Sequence, residues 1–202
     1  MNGANQDPST ARLSRSLALQ GRICDPLPLI QSDNPKRLLR QIQNYLVDAS
    51  NERKLITSPG EIFQLVKLLP PKKRDEFLLE GADKNELHDP NRPKIEREDG
   101  CWFHFFIIGT AAPERSKLLL LGYHFEMYVP DENRFFRYDL NSPTGEAREN
   151  VDKGMRSHLH LNAEDVQLPA PAMTPFELLD FFVYGFLPRN QDRRRIGGHQ
   201  GS

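Results

Sequence analysis

Hydrophobic residues in the first half of the chain recur at the three- and four-residue spacing of α-helices. Asn34 precedes the first of these runs as a candidate N-cap, and Ser58 opens a capping box before the second. The segment KKRDEFLLEGA predicts a third, shorter helix, which Gly81 would end. This pattern predicts a helical region over residues 21–82.

The pattern changes after residue 100, where aromatic and branched residues run almost without a break, as is typical of strands. Four strands are predicted, in the segments CWFHFFIIGT, KLLLLGYHFEMYV, NRFFRYDLN and MRSHLHLN. A capping box of Thr174 and Glu177 then begins a C-terminal helix. The simplest assembly is an α+β fold, with an N-terminal helical region followed by a mainly antiparallel four-stranded sheet that the C-terminal helix covers.

Polar and proline-bearing stretches divide the chain into parts. We expect a disordered N-terminus (1–20), the helical region (21–82), a charged linker (83–100), an α+β core domain (101–188) and a flexible basic tail (189–202). The chain has 202 residues, which is enough for one domain with a sizeable core or for a compact domain with a helical appendage.

Composition excludes several classes of protein. The net charge is −1, so the total charge predicts no particular partner, and the two cysteines form no disulfide framework. No apolar run approaches the roughly 20 residues of a membrane span, and no signal peptide is recognisable. We therefore expect a cytoplasmic protein that does not contact a membrane. The sequence also has no phosphate-binding glycine loop, nucleophile elbow or HExxH helix.

A polar face is predicted from the alternation of side chains along the strands. In the fourth strand His158 and His160 fall on one face, while Leu159 and Leu161 fall on the other and can pack. The second and third strands carry polar residues at alternate positions too. If these faces coincide, they form one surface made of His124, Glu126, Arg137, Asp139, Arg156, His158 and His160.

Three interpretations of the pair formed by His158 and His160 stay open. Two imidazoles at alternate strand positions can bind one metal ion if His124, Glu126 or Asp139 adds a third ligand. Histidine can also act as an acid or base on a phosphodiester, with a nearby arginine stabilising the charge that develops. The third interpretation is a polar face that contacts solvent or a partner without chemistry. His104, inside an apolar run, is predicted to be a core histidine.

Three short motifs follow one another between residues 134 and 186. Their matching residues are Arg137, Tyr138, Asp139 and Asn141, then Lys153, Gly154, His158 and His160, then Thr174, Pro175 and Leu178. This order resembles the TumE-like toxin family of bacterial toxin–antitoxin systems. The resemblance implies a small cytosolic toxin that acts on RNA and is neutralised by an antitoxin.

These observations predict a toxin-like protein of a bacterial toxin–antitoxin or defence system that processes RNA by histidine acid–base chemistry. The predicted catalytic residues are His158, His160 and Arg156, and the predicted substrate-binding residues are Lys153, Arg137, Asp139 and Tyr138. No metal ligand and no cofactor are assigned. RNA and an antitoxin-like or operon-encoded protein are the expected partners. The alternative is a non-enzymatic adaptor or regulatory module that binds another protein.

Overall fold

The computed structural model describes residues 29–30, 32–70, 73, 75–84, 89–112, 117–130, 133–142, 156–163 and 165–185. Its helices are α1 (Pro35–Asn51), α2 (Pro59–Leu65) and α3 (Pro175–Asp180), and a π-helical turn (Phe181–Gly185) continues α3. Its strands are β1 (Leu29–Ile30), β2 (Val66–Leu69), β3 (Glu76–Gly81), β4 (Ile95–Glu96), β5 (Trp102–Ala111), β6 (Leu118–Val129), β7 (Arg134–Leu140), β8 (Ser157–Leu161) and β9 (Gln167–Pro169). The predicted N-terminal (1–20) and C-terminal (189–202) tails lie outside these residues.

The strands form one nine-stranded sheet in the order β2-β3-β5-β6-β7-β8-β9, with β1 paired to β6 and β4 paired to β5. Every one of these pairings is antiparallel. The prediction of a four-stranded sheet after an N-terminal helical region is therefore wrong. Residues assigned to that helical region supply β2 and β3, which extend the sheet beyond β5.

The segment predicted as a third helix is strand β3. Phe77, Leu79 and Gly81 are buried and the residues between them are only partly buried, which is the two-residue period of a strand. The strand pairs with β5, so its backbone groups are satisfied by a partner distant in sequence. Gly81, expected to end a helix, is instead a site of close approach, because a Cβ there would lie 2.1 Å from the ring of Phe105.

The first two helices begin where the sequence predicts. The Asn34 side chain accepts a hydrogen bond from the backbone of α1, and Ser58 forms both halves of its capping box at α2. The second apolar run does not stay helical, because α2 ends at Leu65 and β2 begins at Val66. No helix among the described residues is long and apolar enough to cross a membrane.

One face of the sheet packs against the helices. Phe105 and Phe125 stack there at 4.9 Å between ring centroids, and Phe182 of the π-helical turn lies 5.7 Å from Phe125. Burial of such aromatic side chains is a large part of what stabilises a fold of this size. Alternate residues of β5 to β8 point to the opposite face of the sheet, against which the described helices do not pack.

Residues 95–97, in the stretch expected to be a linker, join this core. Ile95 belongs to β4, and Arg97 forms a bridge with Leu55. Arg97 is buried, and its guanidinium donates to the carbonyl of Phe182 at 2.6 Å and to Asp99 at 2.7 Å. The arginine thereby ties this stretch to the C-terminal helical segment.

Candidate functional site

Two rows of polar residues cross β6, β7 and β8 on the face opposite the helices. In the first row His124 pairs with Asp139, which pairs with His158. In the second row Glu126 pairs with Arg137, which pairs with His160, and His104 of β5 extends this row. We call these residues the polar cluster: His104, His124, Glu126, Arg137, Asp139, His158 and His160. The register thus brings together six of the seven residues that alternation predicts for one face.

Asp139 lies at the centre of the polar cluster. Its Oδ1 is 2.9 Å from Nδ1 of His124, and its Oδ2 accepts a hydrogen bond from Nε of Arg137 at 2.9 Å. The Nε2 atoms of His160 and His158 lie 3.4 and 3.8 Å from Oδ2. Burial alone would raise the pKa of Asp139, but its contacts with His124, His160 and Arg137 outweigh burial and hold that pKa well below its usual range.

Both ring nitrogens of His160 have polar neighbours. Its Nδ1 lies 3.3 Å from the backbone carbonyl of Ala163, which can only accept, so this nitrogen carries the hydrogen. Its Nε2 lies 2.9 Å from Nη2 of Arg137, which can only donate, so that nitrogen offers its lone pair. These two contacts fit the tautomer of His160 that carries its hydrogen on Nδ1.

His124 is held differently. Its ring stacks on Phe106 with an interplanar angle of 2° and a centroid distance of 4.9 Å. Its Nδ1 contacts Asp139, whereas its Nε2 has no hydrogen-bond partner among the described residues. A carboxylate on one ring nitrogen and no partner on the other is the arrangement that general acids and bases use.

A cavity of about 620 Å³ opens over part of the polar cluster. Its lining includes Lys84, His104, Phe106, His124, Glu126, Arg137 and Asp139. His158 and His160 are not among the lining residues, and each is only 2% exposed. The cavity therefore presents His124, Asp139 and Arg137 to a ligand, with the other two histidines behind them.

The remaining predicted site residues lie elsewhere. Arg156 is buried, and its guanidinium donates to the carbonyls of Asn141 at 3.0 Å and Leu121 at 3.1 Å, which holds neighbouring strands together. Tyr138 lies on the helix-packed face, where its hydroxyl donates to the carbonyl of Pro171. Lys153 lies outside the described residues.

Sequence reasoning missed several lining residues of the cavity, among them Lys84, His104 and Phe106. Lys84 belongs to a charged stretch with no recognisable pattern. His104 is buried as predicted, at 1% exposure, yet it lies opposite Glu126 on the polar face and not among the core side chains. Alternation along β5 separates His104 and Phe106 from Phe105, but only the pairing with β6 shows what they face.

Comparison of the chain with family models, curated proteins and solved structures found no match. The atoms of the site offer a carboxylate-held imidazole, a guanidinium beside it and an aromatic wall, all lining one cavity.

Proposed function

We propose that this protein cleaves RNA as a toxin of a bacterial toxin–antitoxin or defence system, with His124 as an acid–base group. One observation carries the proposal. Asp139 holds Nδ1 of His124 at 2.9 Å, while Nε2 is buried without a hydrogen-bond partner among the described residues and the residue lines the cavity. In neutral His124 this contact places the hydrogen on Nδ1 and the lone pair on Nε2.

RNA suits this site because it carries its own nucleophile, the 2′-hydroxyl. As the 2′-hydroxyl oxygen attacks phosphorus, its proton passes to Nε2 of His124, whose ring must first turn this buried atom toward the cavity, and the 5′-oxygen leaves with a proton from a second acid or from water. The products are a 2′,3′-cyclic phosphate and a 5′-hydroxyl end. Lys84 and Arg137 line the same cavity and supply positive charge for the phosphate.

An aromatic and aliphatic wall adjoins the polar cluster. Phe106 and Ile108 line both the main cavity and a neighbouring one of about 310 Å³, which Leu78 also lines. Bases of single-stranded nucleic acid stack on aromatic side chains such as Phe106, with about 1–3 kcal/mol per base. The wall therefore offers a place for a base next to the phosphate position.

The toxin assignment rests on the resemblance to the TumE-like family. Four of the residues that carry it belong to the polar cluster: Arg137, Asp139, His158 and His160. Tyr138 and Leu178, which also carry it, are buried on the helix-packed side of the sheet. The resemblance thus combines side chains of the site with side chains that support it.

The test is cleavage of single-stranded RNA by the purified full chain, with a DNA strand of the same sequence as the substrate control. We expect RNA cleavage with cyclic phosphate ends, and a rate at least about 100-fold lower for His124→Gln. Arg134→Gln, at the exposed start of β7, is the control variant and keeps the rate. Induced expression should arrest growth for the wild type and not for His124→Gln.

Equal cleavage by the wild type and a folded His124→Gln protein would refute the role of His124. Absence of RNA cleavage together with normal growth would refute the enzyme proposal as a whole. The catalytic assignment of His158 and His160 stays a prediction, and a His158→Ala/His160→Ala double variant tests it in the same assay.

The adaptor alternative is favoured by a different surface. Leu161, Val166 and Leu168 are 48%, 47% and 44% exposed, and they lie in the β8–β9 hairpin at one edge of the sheet. Exposed apolar side chains next to one another are typical of protein-binding surfaces. An operon-encoded protein that copurifies with the wild type but not with Leu168→Asp would support this function.

A further inference from the structure

We infer that Asp139, His158 and His160 bind a divalent transition-metal ion, with Zn²⁺ as the best fit, and that Arg137 competes with the ion for the same lone pairs. The candidate ligand atoms of the three residues all lie within 4.8 Å of one another. All three ligands lie on adjacent strands, so the sheet holds their spacing without help from a loop.

The distances suit tetrahedral coordination. Zinc binds imidazole nitrogen and carboxylate oxygen at about 2.0–2.2 Å, so two ligand atoms of a tetrahedron lie roughly 3.3–3.6 Å apart. Oδ2 of Asp139 lies 3.4 Å from Nε2 of His160 and 3.8 Å from Nε2 of His158. The candidate ligand atoms of His158 and His160 lie within 4.8 Å of each other, so His158 must move toward Oδ2 to complete the three-ligand geometry.

The surrounding contacts prepare two of the ligands. His160 donates from Nδ1 to the carbonyl of Ala163, which leaves the lone pair of Nε2 for a metal. Asp139 is held through Oδ1 by His124, which leaves Oδ2 for the same metal. Metal-binding histidines and carboxylates in proteins are commonly oriented by such outer hydrogen bonds.

Arg137 is the competitor because it now uses those two ligand atoms. Its Nε donates to Oδ2 of Asp139 and its Nη2 donates to Nε2 of His160, both at 2.9 Å. Its remaining nitrogen, Nη1, lies 3.6 Å from Oε2 of Glu126, which can keep the guanidinium when the ion displaces it. Binding of the ion is thus an exchange of one cation for another around Asp139.

Charge and ligand type decide which ion fits. Two carboxylates and one guanidinium leave the polar cluster with a formal charge of −1 when its imidazoles are neutral. Two imidazoles and one carboxylate suit zinc and its first-row neighbours, whereas magnesium and calcium require mostly oxygen ligands. Three protein ligands also leave one position of the tetrahedron for water or a substrate oxygen.

The test is a zinc titration of the untagged, chelator-treated full chain against a chromophoric zinc chelator. We expect one ion per chain and an affinity about tenfold tighter for Arg137→Gln, because the positively charged guanidinium that reaches both ligand atoms is gone. Arg134→Gln, on the same strand, keeps the wild-type affinity. Adding His160→Ala to Arg137→Gln should weaken binding at least about tenfold.

A second measurement does not depend on the folding of a ligand variant. Co²⁺ in the folded Arg137→Gln protein should give the intense visible absorption of a tetrahedral ion with nitrogen and oxygen ligands. The inference is overturned if Arg137→Gln binds zinc no more tightly than Arg134→Gln, or if its cobalt spectrum is that of the hydrated ion. RNA is absent from both measurements, so their outcome is separate from that of the cleavage assay.

Discussion

Replacing Asp139 with asparagine keeps the size of the side chain and removes the charge at the centre of the polar cluster. Arg137 then loses a carboxylate at 2.9 Å and keeps Glu126, at 3.6 Å. His124 loses the carboxylate that contacts its Nδ1. The variant therefore leaves a mostly buried guanidinium without its nearest counter-charge.

The expected size of the effect follows from the burial of the pair. Removing one partner of a buried ion pair costs about 3–5 kcal/mol of folding free energy. The lower end, about 3 kcal/mol, applies here because Glu126 still compensates part of the charge of Arg137. For a chain of this length that corresponds to a Tm lower by about 6–12 °C.

The assay is urea unfolding followed by circular dichroism, with a thermal scan of each protein. Asp33→Asn is the matched control, because Asp33 contacts Arg37 at 3.1 Å but its side chain is 43% exposed. An exposed ion pair contributes about 0–1 kcal/mol, so this control should unfold close to the wild type. Equal unfolding free energies for Asp139→Asn and Asp33→Asn would refute the central role given to Asp139.

Three further predictions concern stability. Thr174→Ala removes the hydrogen bond from the backbone of Glu177 and should cost about 1 kcal/mol, seen as a lower urea midpoint. Gly81→Ala should cost about 1–3 kcal/mol because the new Cβ meets the ring of Phe105 at 2.1 Å, whereas Gly60→Ala, which meets no atom within 4 Å, should cost nothing. The pKa of Asp139 is lower in the folded protein than in the unfolded chain, where it is about 3.9. The ionised carboxylate therefore contributes its full share of folding stability above about pH 3.9, and this share is lost as the pH falls toward the folded pKa. Acid unfolding of the wild type should therefore show a loss of stability below about pH 4 that Asp139→Asn lacks, and parallel pH profiles would contradict this assignment.

Local patterns in the sequence predict some elements because their causes are local. The capping residues Asn34, Ser58 and Thr174 mark helix starts that the structure has at the same places. Strand β3 escapes such reasoning, because a short apolar run such as Phe77 to Leu79 suits a helix and a strand equally well. Its pairing with β5, about 30 residues later in the chain, decides between them.

The polar face could also be predicted in part, because strand alternation is a local pattern. Alternation places His158 and His160 together, since the period of a strand is a local property. Alternation does not reveal that His158 and His160 are almost fully buried. Nor does it reveal that the cavity is lined by His124 and not by these two histidines. Depth depends on what neighbouring strands and loops place over a side chain, and no pattern within β8 contains that information.

The alternation of side chains in β7 also limits which mutations this protein can accept during evolution. Tyr138 packs on the helix side and Asp139 belongs to the polar cluster, so a single inserted residue between Arg134 and Tyr138 would exchange their faces. Such an insertion would put a carboxylate into the apolar core and a tyrosine into the cavity together. Variants that keep the fold while altering the chemistry should therefore arise by substitution at single polar positions, and changes of length should be confined to the connections between strands.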